Sequence, residues 1–123
     1  MLRNYTMIGA AIALLAVALG AFGAHVLEER LSAEDLDIFE TGVRYQMYHG
    51  LGILIAALLS ERLSSPGLVR WSARLMLAGV VIFSGSLYVL VFSGIRVLGA
   101  VTPIGGVALL AGWICLLMAA RKK

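Results

Sequence analysis

Residues 39–50 read FETGVRYQMYHG and continue without a break into LGILIAALLS at residues 51–60. Nowhere else in the chain do acidic, basic, amide, phenol and imidazole side chains lead directly into a long apolar run. On a helix, at about 100° per residue, the small and polar members of this segment fall on one face and the large apolar ones on roughly the opposite face. The segment therefore predicts a helix that enters an apolar medium and carries polar side chains at the boundary.

Composition identifies this apolar medium as a lipid bilayer. Hydrophobic residues make up 61% of the 123 residues and charged residues only 14%, against about 25% charged in an average soluble domain. A soluble core of this size cannot bury so much apolar surface. Four apolar stretches are each about long enough to cross a hydrocarbon core of ~30 Å as a helix. They are residues 5–24, 43–60, 71–92 and 103–120.

We therefore predict an all-α membrane protein with four transmembrane helices and a single integral membrane domain, residues 1–123. The connection between the first two helices, residues 25–41, holds six of the seven acidic residues. Within it Ser32 predicts a helix N-cap, because Glu34 and Asp35 follow in the first turn, where the helix dipole favours negative charge. We expect a short acidic interfacial helix before helix two, with a bend at Gly42.

The other connections are short. Residues 64–67 read SSPG, a helix-breaking turn. Thr102 predicts the N-cap of the fourth helix and Pro103 its first helical position, where the missing N–H has no cost. Because short connections make sequential helices antiparallel, we expect an up-down-up-down bundle.

Basic residues orient this bundle. Seven lie on one side of the predicted membrane and three on the other. By the positive-inside rule, both termini and the turn at Pro66 lie in the cytoplasm. The larger set is Arg3, Arg62, Arg70, Arg74, Arg121, Lys122 and Lys123, and the smaller set is Arg30, Arg44 and Arg96.

Small residues recur at four-residue spacing and predict close helix–helix contacts. In the first helix a contact inside the monomer is favoured, and a dimer contact remains the alternative. Polar residues in the third helix are interpreted as interhelical hydrogen-bonding groups. The small residues are Ala16, Gly20 and Ala24 in the first helix and Gly52, Ala56 and Ser60 in the second, and the polar ones are Ser84, Ser86 and Tyr88.

The polar segment of helix two supplies the candidate site. The candidates for ligand contact are His25, Tyr45, Gln46 and His49, and the residues expected at the membrane boundary are Glu40, Arg44 and Tyr48. The helical projection directs Tyr45 and His49 into the bundle. His49 lies about five residues, or ~7.5 Å, deeper than Arg44. An ionisable side chain at membrane depth favours a functional hypothesis, such as proton relay or polar ligand binding. The structural alternative is a neutral imidazole, bonded to Tyr45, Gln46 or a backbone carbonyl, that holds helices together.

Other kinds of chemistry have little support. His25 and His49 lie on adjacent helices, and histidine binds metals and haem, but their depths differ and no Cys/His cluster surrounds them. We predict no catalytic residues, no metal and no cofactor, hence not an enzyme. The single cysteine, Cys115, lies in the fourth span and is interpreted as a small core residue. No long basic face is present for nucleic acid.

Five motif stretches resemble the YgdD/YwdK-like family of small bacterial membrane proteins, whose function is unknown. The resemblance implies four helices in the bacterial cytoplasmic (inner) membrane and supplies no catalytic residues. The motifs are GAFGAH at 20–25, FETGVRYQMYH at 39–49, SGSLY at 84–88, TPIGG at 102–106 and GW at 112–113.

Three functions remain open. The first is a non-enzymatic structural or accessory component that contacts membrane lipids and forms a homo-oligomer or joins a larger membrane complex. The second is a small transporter or a binder of a polar or lipid-like ligand, which uses an outer-side pocket at Tyr45 and His49. The third, a redox or quinone-linked subunit, rests on the two histidines alone.

Overall fold

The computed structural model describes residues 1–122, so the predicted cytoplasmic position of Lys123 lies outside the described residues. Within this range the protein is helical and has no strand, which confirms the all-α prediction. The long helices are α1 (Leu2–His25), α2 (Ala33–Leu59), α3 (Pro66–Ser93) and α4 (Thr102–Arg121). Short 3-10 turns, Leu27–Glu29 and Arg96–Ala100, precede α2 and α4.

Glycines bring α1 and α2 together. A Cβ on Gly9 would lie only 2.9 Å from the carbonyl oxygen of Gly50, and a Cβ on Gly23 would lie 2.7 Å from the ring of Phe39. The early part of α1 therefore meets the later part of α2, and the two helices run antiparallel. Ala16 is buried and Gly20 faces Val43, so these members of the small-residue series in α1 pack inside the monomer.

The contact between α3 and α4 is closer still. A Cβ on Gly105 would collide with the backbone of Phe83, and one on Gly79 would lie 2.6 Å from the side chain of Leu109. Gly112 packs against Met76 in the same way. The order of these contacts makes α4 antiparallel to α3.

The helices pack in series, α1 on α2, α2 on α3 and α3 on α4. Over residues 1–122, α1 and α4 make no extended contact with each other. The pairs α1–α2 and α3–α4 are each antiparallel, but the bundle is not closed between its first and last helices. The full up-down-up-down order across a membrane stays a prediction. As a result, α1 and α4 expose much of their apolar surface.

Three segments are long and apolar enough to cross a membrane: Leu2–His25, Pro66–Ser93 and Arg96–Arg121. Helix α2 has 27 residues, but it is not among these three. The reason is the polar run at residues 40–49, which lowers the mean hydropathy of the helix. The second of the four predicted spans therefore stays a prediction.

The predicted separate acidic helix is wrong. Ser32 does cap a helix, since its Oγ accepts a hydrogen bond from the Asp35 N–H at 3.1 Å. That helix, however, is α2 itself, which continues through Gly42 to Leu59 without a break. Gly42 provides space for a neighbouring ring, because a Cβ there would lie 2.7 Å from Tyr88 Cε1.

Thr102 is also not an N-cap. The 3-10 turn Arg96–Ala100 leads directly into α4, so Val101 takes the cap position and Thr102 is the first helical residue. The Thr102 hydroxyl lies 2.6 Å from that of Ser86 and joins α4 to α3. Pro103 is therefore the second helical residue and not the predicted first, but it still lies in the first turn, where its missing N–H has no intrahelical partner to lose.

Candidate functional site

Gln46 connects three helices through one side chain. Its Nε2 donates to the carbonyl oxygen of Ile12 in α1 at 3.0 Å, and its Oε1 accepts from the Tyr88 hydroxyl of α3 at 2.6 Å. A carbonyl oxygen only accepts, so these partners determine which way the amide faces. Gln46 is 6% exposed. We call this arrangement the Gln46 bridge.

Ser84 reinforces the Gln46 bridge one turn away. Its hydroxyl donates to the carbonyl oxygen of Gly42 at 2.7 Å, and Ser84 itself is buried. The same glycine accommodates the ring of Tyr88, which lies 5.4 Å from the ring of Phe39 between centroids. The interhelical hydrogen bonds predicted for Ser84 and Tyr88 are confirmed.

His49 connects α2 to α4. Its Nδ1 lies 2.8 Å from the Tyr45 carbonyl oxygen, and its Nε2 lies 2.9 Å from the Trp113 indole nitrogen. The carbonyl only accepts and the indole only donates. The hydrogen bonds therefore require a neutral imidazole with its proton on Nδ1, and both ring nitrogens are occupied. We call this arrangement the His49 bridge.

A cavity of about 480 Å³ lies beside the His49 bridge, between α2, α3 and α4. Its lining is largely apolar, and the ring of Tyr45 stacks on that of Phe83 with 4.5 Å between centroids. We call it the α4 groove. Its lining residues are Tyr45, His49, Phe83, Pro103, Gly106, Val107, Leu109, Leu110 and Trp113.

A smaller cavity of about 280 Å³, the α1 groove, lies beside the Gln46 bridge. It runs between α1 and α3 and is lined by Ile12, Leu15, Gln46, Leu77, Val80, Val81, Ser84, Gly85 and Tyr88. Helix α2 thus contributes polar side chains to two grooves, Gln46 to one and His49 to the other.

The four sequence candidates do not form one site. Tyr45, Gln46 and His49 are neighbours on α2, whereas His25 is exposed at the end of α1. Because Gly23 packs against Phe39, His25 lies roughly 18 Å from His49 along the helix axis. Over residues 1–122, no group of three or more His, Cys, Asp or Glu side chains is placed to hold a metal ion.

The predicted boundary residues Glu40, Arg44 and Tyr48 are exposed. Arg44 donates to the Thr41 hydroxyl at 3.2 Å, a partner that the sequence analysis did not predict. Tyr45 was expected to point into the bundle, but it is 38% exposed. Its ring forms part of the wall of the α4 groove instead.

Sequence reasoning missed the partner of His49. Trp113 stands in the middle of α4, and an indole N–H in an apolar helix needs an acceptor. That signal predicts a partner without saying which one, because Trp113 and His49 are 64 residues apart. The ion pair of Arg96 with Asp35, at 2.9 Å between Nη1 and Oδ1, was missed for the same reason.

The fold and its polar bridges define a small helical membrane protein whose interior polar groups connect helices. The sequence profile of a family described as "Protein of unknown function (DUF423)" matches residues 19–106. The chain belongs to this family.

Similar proteins occur in several bacteria. The UPF0382 membrane protein YwdK of Bacillus subtilis (strain 168) is 49% identical over 121 residues, 98% of each chain. A UPF0382 membrane protein of Staphylococcus epidermidis (strain ATCC 12228 / FDA PCI 1200) is 46% identical over the same share of both chains. UPF0382 membrane protein SH2409 of Staphylococcus haemolyticus (strain JCSC1435) is 45% identical, again over 98% of each chain.

No solved structure matches the chain. The predicted family resemblance is confirmed, and with it the membrane character of the protein.

Proposed function

We propose that the protein is a non-enzymatic accessory component of the bacterial cytoplasmic membrane that associates with itself or with a larger membrane complex. The main support for the proposal is that the interior polar side chains form hydrogen bonds between helices. Gln46, His49, Ser84 and Tyr88 all bind groups on other helices. Each of these side chains therefore stabilises the helix arrangement and is not available for a chemical reaction.

Exposed apolar surface supports the association. Large side chains face outward along α1 and α4, and the open side between these two helices offers a surface to another helix. In lipid, such contacts depend on packing and hydrogen bonds, because lipid tails are as apolar as the side chains themselves.

Native mass spectrometry of gently solubilised protein tests the association. A homo-oligomer or one partner that recurs between preparations is the expected result. A strict monomer without a constant partner, observed in several mild detergents, would contradict the proposal.

The orientation, with both termini in the cytoplasm, rests on the uneven distribution of basic residues. Single cysteines test it in a Cys115→Ser background. Glu29→Cys lies in the acidic connection, and Gly67→Cys lies at the opposite end, where a Cβ meets no atom within 4 Å. An impermeant thiol reagent should label the first in intact spheroplasts and the second only after lysis; the reverse pattern would invert the orientation.

A second candidate function, the binding of an apolar or lipid-like ligand, is favoured by the α4 groove. Its volume of about 480 Å³ lies within the ordinary range for small-molecule sites. The polar atoms beside it already have partners, so a ligand would be held chiefly by apolar contact with Phe83, Trp113 and the α4 side chains.

Two glycines provide a matched test of ligand binding. Gly106→Leu fills the α4 groove, because a Cβ there meets only the Phe83 ring at 3.9 Å, and Gly85→Leu fills the α1 groove. Lipid that remains bound through purification is extracted and identified by mass spectrometry. A specific species lost only in Gly106→Leu supports binding at the α4 groove, and an unchanged profile counts against it.

The redox or quinone-linked alternative rested on two histidines on adjacent helices. His25 and His49 lie roughly 18 Å apart along the helix axis, and both nitrogens of His49 already have partners. This alternative therefore has no support from the geometry.

A further inference from the structure

Basic side chains gather at the end of the molecule opposite the acidic connection. There the end of α2, the start of α3 and the end of α4 meet around Val69, Ala73 and Ala119. Ser64 Oγ donates to the Lys122 carbonyl oxygen at 3.2 Å and joins the α2–α3 turn to the end of α4. The exposed bases at this end are Arg3, Arg62, Arg70, Arg74, Arg121 and Lys122, against the single acid Glu61.

Helix α3 places two of these arginines at the depth of lipid headgroups. Its 28 residues span ~42 Å, so about one turn extends beyond each side of a hydrocarbon core of ~30 Å. Arg70 lies near that boundary and Arg74 one turn deeper. Since helical side chains lean toward the N-terminus, the side chain of Arg74 leans back toward water.

Trp71 holds the Arg74 guanidinium at this level. The guanidinium carbon lies 5.3 Å from the centroid of the Trp71 ring, within the range of a cation–π contact. Tryptophan is itself enriched at the membrane–water boundary. Arg70 and Arg74 are four residues apart, so they are neighbours on one face of α3.

At the opposite end one arginine has a carboxylate partner. Arg96 places two nitrogens on the two carboxylate oxygens of Asp35, at 2.9 and 3.3 Å. Over residues 1–122 that pair is the only salt bridge, and Arg70 and Arg74 have no carboxylate partner. A guanidinium presents a planar fork of N–H donors that fits a phosphate as well as a carboxylate.

We propose that Arg70, Trp71 and Arg74 form a binding surface for the phosphodiester headgroup of an anionic phospholipid in the adjacent leaflet. The phosphate would accept hydrogen bonds from the guanidinium groups of Arg70 and Arg74 as the Asp35 carboxylate does from Arg96. The nearby basic side chains add long-range attraction. A zwitterionic headgroup carries its own ammonium beside the phosphate, which reduces the net attraction. The proposal depends on neither the accessory role nor the orientation of the protein.

The test uses the purified full-length chain in a neutral detergent. Native mass spectrometry counts bound lipid as phosphatidylglycerol or phosphatidylcholine with identical acyl chains is added. We expect phosphatidylglycerol to bind at lower concentration. Arg70→Gln with Arg74→Gln should weaken phosphatidylglycerol binding about thirtyfold, since each basic residue near an anionic surface contributes about 1 kcal/mol and about 1.4 kcal/mol corresponds to tenfold.

Arg30→Gln with Arg44→Gln is the matched control, since it removes two exposed charges from the opposite end. It should bind phosphatidylglycerol like the unmodified protein. Arg70→Lys with Arg74→Lys keeps the charge without the planar fork. Its affinity for phosphatidylglycerol should lie between that of the unmodified protein and that of the glutamine variant. An affinity as low as that of the glutamine variant also agrees with a site that requires guanidinium groups.

Four results would overturn the proposal. They are equal binding of the two lipids, unchanged binding in the glutamine variant, tighter binding of a single-stranded oligonucleotide than of phosphatidylglycerol, and displacement of the lipid by an equal concentration of inorganic phosphate, which would show a free-anion site instead. If the glutamine variant fails to fold, tryptophan fluorescence of the unmodified protein is measured with brominated phosphatidylglycerol and with brominated phosphatidylcholine. Stronger quenching by phosphatidylglycerol supports the proposal, and equal quenching refutes it.

Discussion

The two polar bridges of α2 differ in the number of helices that they join. Gln46 makes two interhelical hydrogen bonds, one to α1 and one to α3. His49 makes one, to Trp113 of α4, which is 40% exposed beside the α4 groove. Both polar side chains are themselves buried, at 6% and 5% exposure. The Gln46 bridge therefore determines how α1, α2 and α3 are positioned, whereas the His49 bridge joins α4 to α2 and borders the larger of the two grooves.

Gly105→Ala should cause the largest loss of stability, because it displaces α4 and so breaks the His49 bridge. The new Cβ would collide with the backbone of Phe83, so α4 must move away from α3 and carry Trp113 away from His49. Overpacking of this kind costs about 1–3 kcal/mol or more. The measurement is thermal unfolding in detergent.

Gly106→Ala is the control for this change, because its Cβ meets the Phe83 ring only at 3.9 Å. It should unfold like the unmodified protein. Equal loss of stability in both variants would show that the contact of α4 with α3 does not support the His49 bridge.

Gln46→Leu should have the second largest effect. It removes two interhelical bonds and leaves the Tyr88 hydroxyl and the Ile12 carbonyl without that partner. At about 0.6 kcal/mol for an average interhelical hydrogen bond in a membrane, plus the cost of the groups left unpaired, a loss of about 1–2 kcal/mol is expected. Reversible unfolding in mixed detergent micelles measures it.

Tyr88→Phe provides the matched partial change, since it keeps the ring against Gly42 and removes one of the two bonds. It should cost about half as much as Gln46→Leu. In the double variant the two losses should be less than additive, because one bond is common to both. Strict additivity would mean that the bond contributes nothing.

His49→Leu should cost less than Gln46→Leu, about 0.6–1 kcal/mol, because it removes one interhelical bond and the Trp113 indole can turn toward the α4 groove. The same unfolding measurement applies. A loss as large as that of Gln46→Leu would show that the single interhelical bond of His49 contributes as much to stability as the two bonds of Gln46.

Arg96→Gln should have the smallest effect. It removes an exposed ion pair with Asp35 at the acidic end of the molecule, and exposed pairs contribute little to global stability. We expect faster amide hydrogen exchange in the first turn of α2 and no measurable change in unfolding temperature. A large fall in that temperature would place a main determinant of stability at the acidic end.

Much of the fold was predictable because it depends on local properties. The long apolar runs predict α1, α3 and α4, and Ser32 with its acidic successors predicts the start of α2. The predicted separation of an acidic helix from helix two near Gly42 was wrong, because glycine has two uses that look alike in a sequence. It can relax the backbone, or it can leave space for a neighbouring ring, as Gly42 does for Tyr88.

The candidate site was predictable only in part. The helical projection of α2 correctly separates buried His49 from exposed Glu40 and Arg44. It places Tyr45 too far inward, because a projection shows the direction of a side chain but not the depth of the neighbouring helix. His25 joined the candidates by its position at a helix end, and the contact of Gly23 with Phe39 places it at another level.

By itself the sequence determined the helical segments, their apolar character and the separation of acidic from basic ends, since these follow from composition and periodicity within each segment. Tertiary structure decided which polar groups meet: Gln46 with Tyr88, His49 with Trp113, and Asp35 with Arg96. These partners are 42 to 64 residues apart. They are set by the rotation and register of whole helices, which depend on close contacts such as Gly105 with Phe83.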